Sequence, residues 1–301
     1  MLNYFQFTSG STDRRLNCFA IYVLSIGVGF LVATQSVAAT DHFDGLRARL
    51  IKDGFGPDYV HTAYGDPGAL FDVDTASFYF VQRESKMNYN RFLEDAPVNS
   101  AASYLEKFKP VFQDVEARYP VPKEIIAGIL LVETRFGRVT GNRSVLNTLS
   151  TLSALGDRKN RKYLFTALRE KRIKVSPKRV SKWADRKSDW AYKELKAYLT
   201  YTDKNEIDPV AMRGSYAGAF GFAQFLPSSV LRYGRDGNGD GKCDLFTHPD
   251  AIESIACYLQ KHGWKENMSR EDMTKTLFCY NRSTYYVDTI LSVADKLKER
   301  R

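Results

Sequence analysis

Apolar residues recur at three- and four-residue intervals along most of this chain. That is the spacing of one face of a helix. Phe43, Leu46 and Leu50 predict a helix within residues 41–53. Leu105, Phe108, Phe112 and Val115 predict one helix over residues 100–119, with Ser100 as its cap. Residues 121–137, VPKEIIAGILLVETRFG, predict the next, with Pro122 in its first turn and Gly137 at its exit. Helical spacing returns at 144–155, 162–173, 190–202, 252–264 and 285–300. Two stretches break the pattern: residues 57–68 carry turn residues, and 76–85, ASFYFVQRES, predict a short strand or extended arm. The fold class is therefore mainly α, with little sheet.

Composition narrows the picture. At 301 residues and 44% hydrophobic content, the chain can bury one good core. The net charge of +9 suits an anionic partner. No zinc-finger, RNA-binding or basic-zipper pattern accompanies it, so nucleic acid is not the expected partner. Arg14 and Arg15 precede the uncharged apolar run Phe19–Ala33, and small residues follow at Val37 and Ala39. This order describes an export signal over residues 1–39; the alternative is an uncleaved membrane anchor. Either way the rest of the chain is expected in the periplasm, free or held at the inner membrane. The exported part keeps Cys243, Cys257 and Cys279. With three cysteines at most one internal disulfide forms, and the sequence does not choose the pair.

One acid stands out. Glu133 shares a helical face with Ile126, Ile129 and Leu130, close to the helix C-terminus. Desolvation and the negative end of the helix dipole both favour the protonated carboxyl, which can donate to a leaving oxygen. The alternative is a side chain curled outward to Arg135 or Arg138. Glycoside cleavage commonly uses two carboxylates, and the nearest candidates for a second are Asp203, Glu206 and Asp208.

Several ordered blocks resemble the membrane-bound lytic transglycosylases of the B type. They are VPKEIIAGILLVETRFGRVTGN, LNTLSTLS, RGSYAGAFGFAQFLPSSVLRYGRDGNGDGKCDLF, AIESIACYLQKHGW and YNRSTYY, between residues 121 and 286. The resemblance extends over roughly residues 89–297. It implies a lysozyme-like helical domain over 99–301, with 40–98 as a small accessory region. It implies cleavage of peptidoglycan glycan strands between N-acetylmuramic acid and N-acetylglucosamine, leaving 1,6-anhydro ends, with no catalytic cofactor. Cell-wall machinery proteins are the further partners it suggests, with membrane association through the N-terminal segment.

By the same resemblance Glu133 is the single catalytic acid, serving first as acid and then as base. Ser215 and Gln224 offer a hydroxyl and an amide to the sugar, while Gly214, Gly218 and Gly221 let it approach the backbone. The alternative for these small residues is tight packing. Tyr280, Asn281 and Tyr286 match groove positions. The loop at 236–250 reads as EF-hand-like, with Asp236, Asn238 and Asp240 at positions one, three and five and the Lys242 carbonyl at seven. Position twelve is Thr247, so Asp250 is expected to supply the missing carboxylate of a structural calcium site. Two other readings compete: a hydrolytic muramidase using Asp203, Glu206 or Asp208, and an inactive calcium-stabilised wall-binding protein. The basic stretch Arg169–Lys187 is expected to be a solvated insertion or a contact to the anionic wall or a partner.

Overall fold

A computed structural model describes residues 41–82 and 88–300. The export segment and Cys18 lie outside these residues. Thirteen α-helices follow one another among them: α1 Asp44–Lys52, α2 Pro57–Gly65, α3 Val73–Val81, α4 Asp95–Lys107, α5 Lys109–Arg118, α6 Lys123–Thr134, α7 Val145–Ala154, α8 Arg158–Glu170, α9 Pro177–Lys204, α10 Pro227–Tyr233, α11 His248–Lys261, α12 Arg270–Tyr280 and α13 Thr284–Glu299. A 3-10 turn, Asn90–Leu93, precedes α4. The sheet consists of two short antiparallel strands, β1 Arg143–Ser144 and β2 Arg213–Gly214. No helix among the described residues is long and apolar enough to cross a membrane.

The apolar run of α6 forms the centre of the main core. Ile125 to Leu131 are almost wholly buried, and Gly128 lets α6 lie against Ile290 of α13. Residues of the stretch 40–98 contribute to this core: Phe43, Leu46, Leu50, Val60 and Phe92 cluster with Ile126 and Leu130. A second cluster, with Ala76, Phe80, Leu152, Leu155, Leu164, Leu168 and Val180, is built where α3, α7, α8 and α9 meet.

Three local expectations are corrected. The stretch 76–85 is helical as far as Val81, because the Asp72 carboxylate caps α3 by accepting from Thr75 N and Thr75 Oγ1. Residues 57–65 are also helical, with Pro57 at the first position, where its missing N–H costs no bond. The single helix expected over 100–119 is two. Pro110 cannot donate to the preceding turn, and Phe108 leaves helical geometry at φ −108°, ψ 22°. Ser100 is interior to α4 and caps nothing. The basic stretch 169–187 lies mostly in regular structure. It is the end of α8, a turn, and the first turns of α9, which continues unbroken through 190–202.

Candidate active site

Glu133 is half-buried in the last turn of α6. The chain then leaves the helix through three successive left-handed residues, Arg135 (φ 51°), Phe136 (60°) and Gly137 (86°). Such conformations in non-glycine residues cost on the order of 1–3 kcal/mol and persist where the surroundings enforce them. The enforcement is visible. Thr134 Oγ1 donates to Phe222 O at 2.9 Å and accepts from Gly137 N at 3.0 Å. A side chain at Gly137 would come within 2.5 Å of the Phe222 ring. The end of the Glu133 helix is thus bolted to the glycine-rich segment 214–225.

The carboxyl itself is gripped from the other side. Tyr286 Oη donates to Glu133 Oε1 at 2.9 Å. Tyr286 is buried beneath the site, its ring parallel to that of Tyr280 at 6.3 Å, and Tyr280 Oη donates to Ala223 O at 2.5 Å. Tyr89 meets the edge of Tyr286 at 6.4 Å. Burial, and then the Glu133 charge, hold both phenols well above the ordinary tyrosine range, so they act as proton-bearing donors. Of the three residues expected to line the groove, Tyr280 and Asn281 are half-exposed, whereas Tyr286 reaches the site through its hydroxyl. Asn281 ends α12 in an extended conformation between them. Neighbouring Tyr285 is the exposed member of the pair, at 68%.

Ser215 and Gln224 lie on the segment that faces this helix end. Ser215 Oγ accepts from Ala217 N at 3.3 Å and Ala219 N at 3.1 Å, so its hydroxyl proton is what remains for a ligand. Gln224 adopts φ 48°, and its amide nitrogen donates to Thr140 O at 3.0 Å and Gly221 O at 2.9 Å. Both of its N–H bonds are occupied, so the carbonyl oxygen is what Gln224 has left for a ligand. For the glycines the contacts favour the packing alternative. A Cβ on Gly214, Gly218 or Gly221 would meet Ala219 O, Leu149 Cδ2 or Leu245 Cβ at 2.3, 2.6 or 2.4 Å. Protein atoms fill the space these side chains would take, so the glycines serve packing and turn geometry.

Among the described residues, none of the three candidate second carboxylates reaches Glu133. Asp203, Glu206 and Asp208 are exposed at the end of α9 and beyond it, and Asp208 caps the Val210 N–H. Arg161 ties the end of α7 to α9 by bonding Leu155 O and Asp185.

The loop 236–250 is ordered by its own carboxylates. Asp236 Oδ1 accepts from Gly239 N and Asp240 N, and Oδ2 from Gly241 N. Asp250, wholly buried, accepts from Gly237 N at 3.0 Å and Asp244 N at 2.7 Å, holding both sides of the loop. Burial raises the Asp250 carboxyl above the ordinary range, and nearby Asp236 adds to the shift. Among the described residues no three acidic, imidazole or thiol groups converge on one point. A cation here therefore requires the Asn238 amide and Lys242 carbonyl to complete an oxygen set, the donor type calcium prefers. The loop's donor chemistry, carboxylate, amide and carbonyl oxygens, fits that ion, though in this arrangement the Asp236 and Asp250 carboxylates are taken up by backbone N–H groups. Cys243, Cys257 and Cys279 are all unbonded, with burial pushing the Cys243 thiol up to about 11.

The helical architecture is that of the lysozyme-like lytic transglycosylases. A soluble lytic transglycosylase, SltB1 from Pseudomonas aeruginosa, superposes with a TM-score of 0.69 at 23% identity, covering 85% of this chain and 98% of that one. An Escherichia coli lytic transglycosylase solved in complex with calcium gives 0.64 at 21% identity, covering 86% and 93%. The chain belongs to the transglycosylase SLT domain family, whose model matches residues 38–271. It is 32% identical over 174 residues to membrane-bound lytic murein transglycosylase B of Escherichia coli. That match spans 58% of this chain and 40% of the relative's length.

Proposed function

We infer that this chain is a peptidoglycan lytic transglycosylase that breaks the β-1,4 bond between N-acetylmuramic acid and N-acetylglucosamine without water. The observation that carries the reading is a half-buried carboxyl, Glu133, held by Tyr286 Oη at 2.9 Å within a chain of this family. A single acid suffices when the substrate supplies the nucleophile. Glu133 gives its proton to the glycosidic oxygen as the bond to C1 breaks. The resulting carboxylate takes the proton of the muramyl 6-hydroxyl, and O6 closes onto C1 as a 1,6-anhydro ring. The Tyr286 donor suits the ionised state in which Glu133 waits for that second proton.

Ser215 offers a hydroxyl proton and Gln224 a carbonyl, a complementary pair for the C=O and N–H of an N-acetyl group. Tyr280 and Asn281 form a further wall for the sugar. Asp236, Asn238, Asp240, Lys242 and Asp250 hold a calcium ion whose part is structural. The N-terminal segment directs the chain to the cell envelope, where the glycan strands lie.

Glu133→Gln tests the assignment. The variant is expected to match the circular dichroism and melting of the parent while losing activity on sacculi by at least ~10²–10⁴, the common worth of proton delivery. More than about a tenth of the parent activity would remove Glu133 from the mechanism.

A further inference from the structure

We propose that Phe78 and Tyr216 form an outer sugar subsite, stacking a pyranose ring of the glycan strand beyond the residues at Glu133. The proposal rests on the glycan-cleaving reading above. Tyr216 directly follows Ser215 in the turn closed by Gly218 N donating to Ser215 O. Its ring meets Phe78 edge-to-face at 5.2 Å and Tyr79 at 5.2 Å. Both Phe78 and Tyr216 stay accessible, at 41% and 36%. The two rings adjoin, so they form a contiguous accessible apolar patch beside the Ser215 turn, the kind of surface that lines a ligand groove.

The platform is rigid and anchored to the same helix as the Ser215 turn. Tyr79 packs against Trp190 and receives the Lys187 ammonium, which donates to its hydroxyl at 2.6 Å and lies 4.3 Å over its ring. At its start, α3 is fixed to α7 by Asp72 N donating to Thr151 Oγ1 at 2.8 Å. One α7 residue, Leu149, also lies under Gly218. The support therefore sets Phe78 and Tyr216 relative to each other before any ligand arrives, which lowers the ordering cost of binding.

Chemistry and position select the occupant. Pyranose rings present C–H faces that suit the negative face of an aromatic ring. The strand is a polymer that must run past the cleaved bond, and Tyr216 lies one residue from a group assigned to hold it. The Lys187 ammonium beside the platform complements the carboxylates on the strand's stem peptides.

The test compares kinetics on short and long peptide-free glycan strands for the parent, Phe78→Ala, Tyr216→Ala and the double variant. KM for long strands is expected to rise about tenfold in the double variant, roughly the loss of one stacked ring, while kcat changes less than about twofold. Phe78→Tyr and Tyr216→Phe keep the ring and are expected to restore the parent KM. Phe78→Leu and Tyr216→Leu keep apolar volume without a flat face and are expected to behave as the alanine variants, separating stacking from packing should alanine disturb the fold. An unchanged KM in the double variant, or full recovery with leucine, overturns the subsite while leaving the enzyme reading intact. Parent protein that cleaves neither strand instead overturns the enzyme reading.

Discussion

Tyr286 donates its phenolic hydrogen bond to Oε1 of Glu133 at 2.9 Å, joining the middle of the chain to its last helix. The bond helps orient the carboxyl from a ring that is itself almost wholly buried. Bonds to charged groups are worth about 1.5–3 kcal/mol. Tyr286→Phe is therefore expected to keep the fold and lower kcat by roughly 10–100-fold, with a smaller change in KM. A variant with parental kcat would reduce Tyr286 to core packing.

Gln224 combines a left-handed backbone with two side-chain bonds to carbonyls. Gln224→Ala loses the bonds and keeps the strain, whereas Gln224→Gly loses the bonds and relieves it. Both are expected to be poorly active, with alanine the less stable of the two by about 1 kcal/mol. Thermal melting checks the order; alanine melting above glycine would mean that the φ of 48° carries no strain.

Much of this was legible in advance, and the failures share a cause. The helix bearing Glu133 announced itself because its apolar face was continuous from Ile125 to Leu131. The α3 helix did not, since Phe78, Tyr79 and Phe80 in a row look like a strand unless the Asp72 cap is given weight. The Pro110 break was written in the sequence and outweighed by periodicity. The sequence leaves the glycines open between sugar approach and packing, because only a folded chain shows that Leu149 and Leu245 already occupy the space beside them. The aim of Gln224 depends on Thr140, which is 84 residues away. Phe78 and Tyr216 are brought together by tertiary packing alone.

The calcium reading predicts a pH signature. Burial raises the folded Asp250 carboxyl above its unfolded value of 3.8, so ionised Asp250 costs stability above that pH, and a bound cation offsets the cost. Millimolar calcium is expected to raise the melting temperature at neutral pH. The rise should shrink as pH falls through the elevated range and vanish in Asp236→Ala. Calcium-independent melting of metal-free parent protein would leave residues 236–250 as a self-capped turn.

Lys178, Arg179 and Lys182 are exposed in the first turns of α9. Peptidoglycan carries carboxylates, and attraction between exposed charges is screened beyond roughly 8–10 Å at ordinary ionic strength. Binding to sacculi is expected to weaken with salt, and neutralising the three together should flatten that dependence. A triple variant with the parent's salt response would assign this face to solvent or to a protein partner.

In this mechanism one carboxyl acts twice and water takes no part. Mass spectrometry of the fragments released from purified sacculi tests it most directly. The account predicts muropeptides ending in 1,6-anhydromuramic acid, each lighter by one water than a hydrolysis product, and none of them in reactions with Glu133→Gln. Fragments ending predominantly in reducing muramic acid would contradict it, and would require a water-activating base that Asp203, Glu206 and Asp208, exposed as they are, do not supply from their present positions.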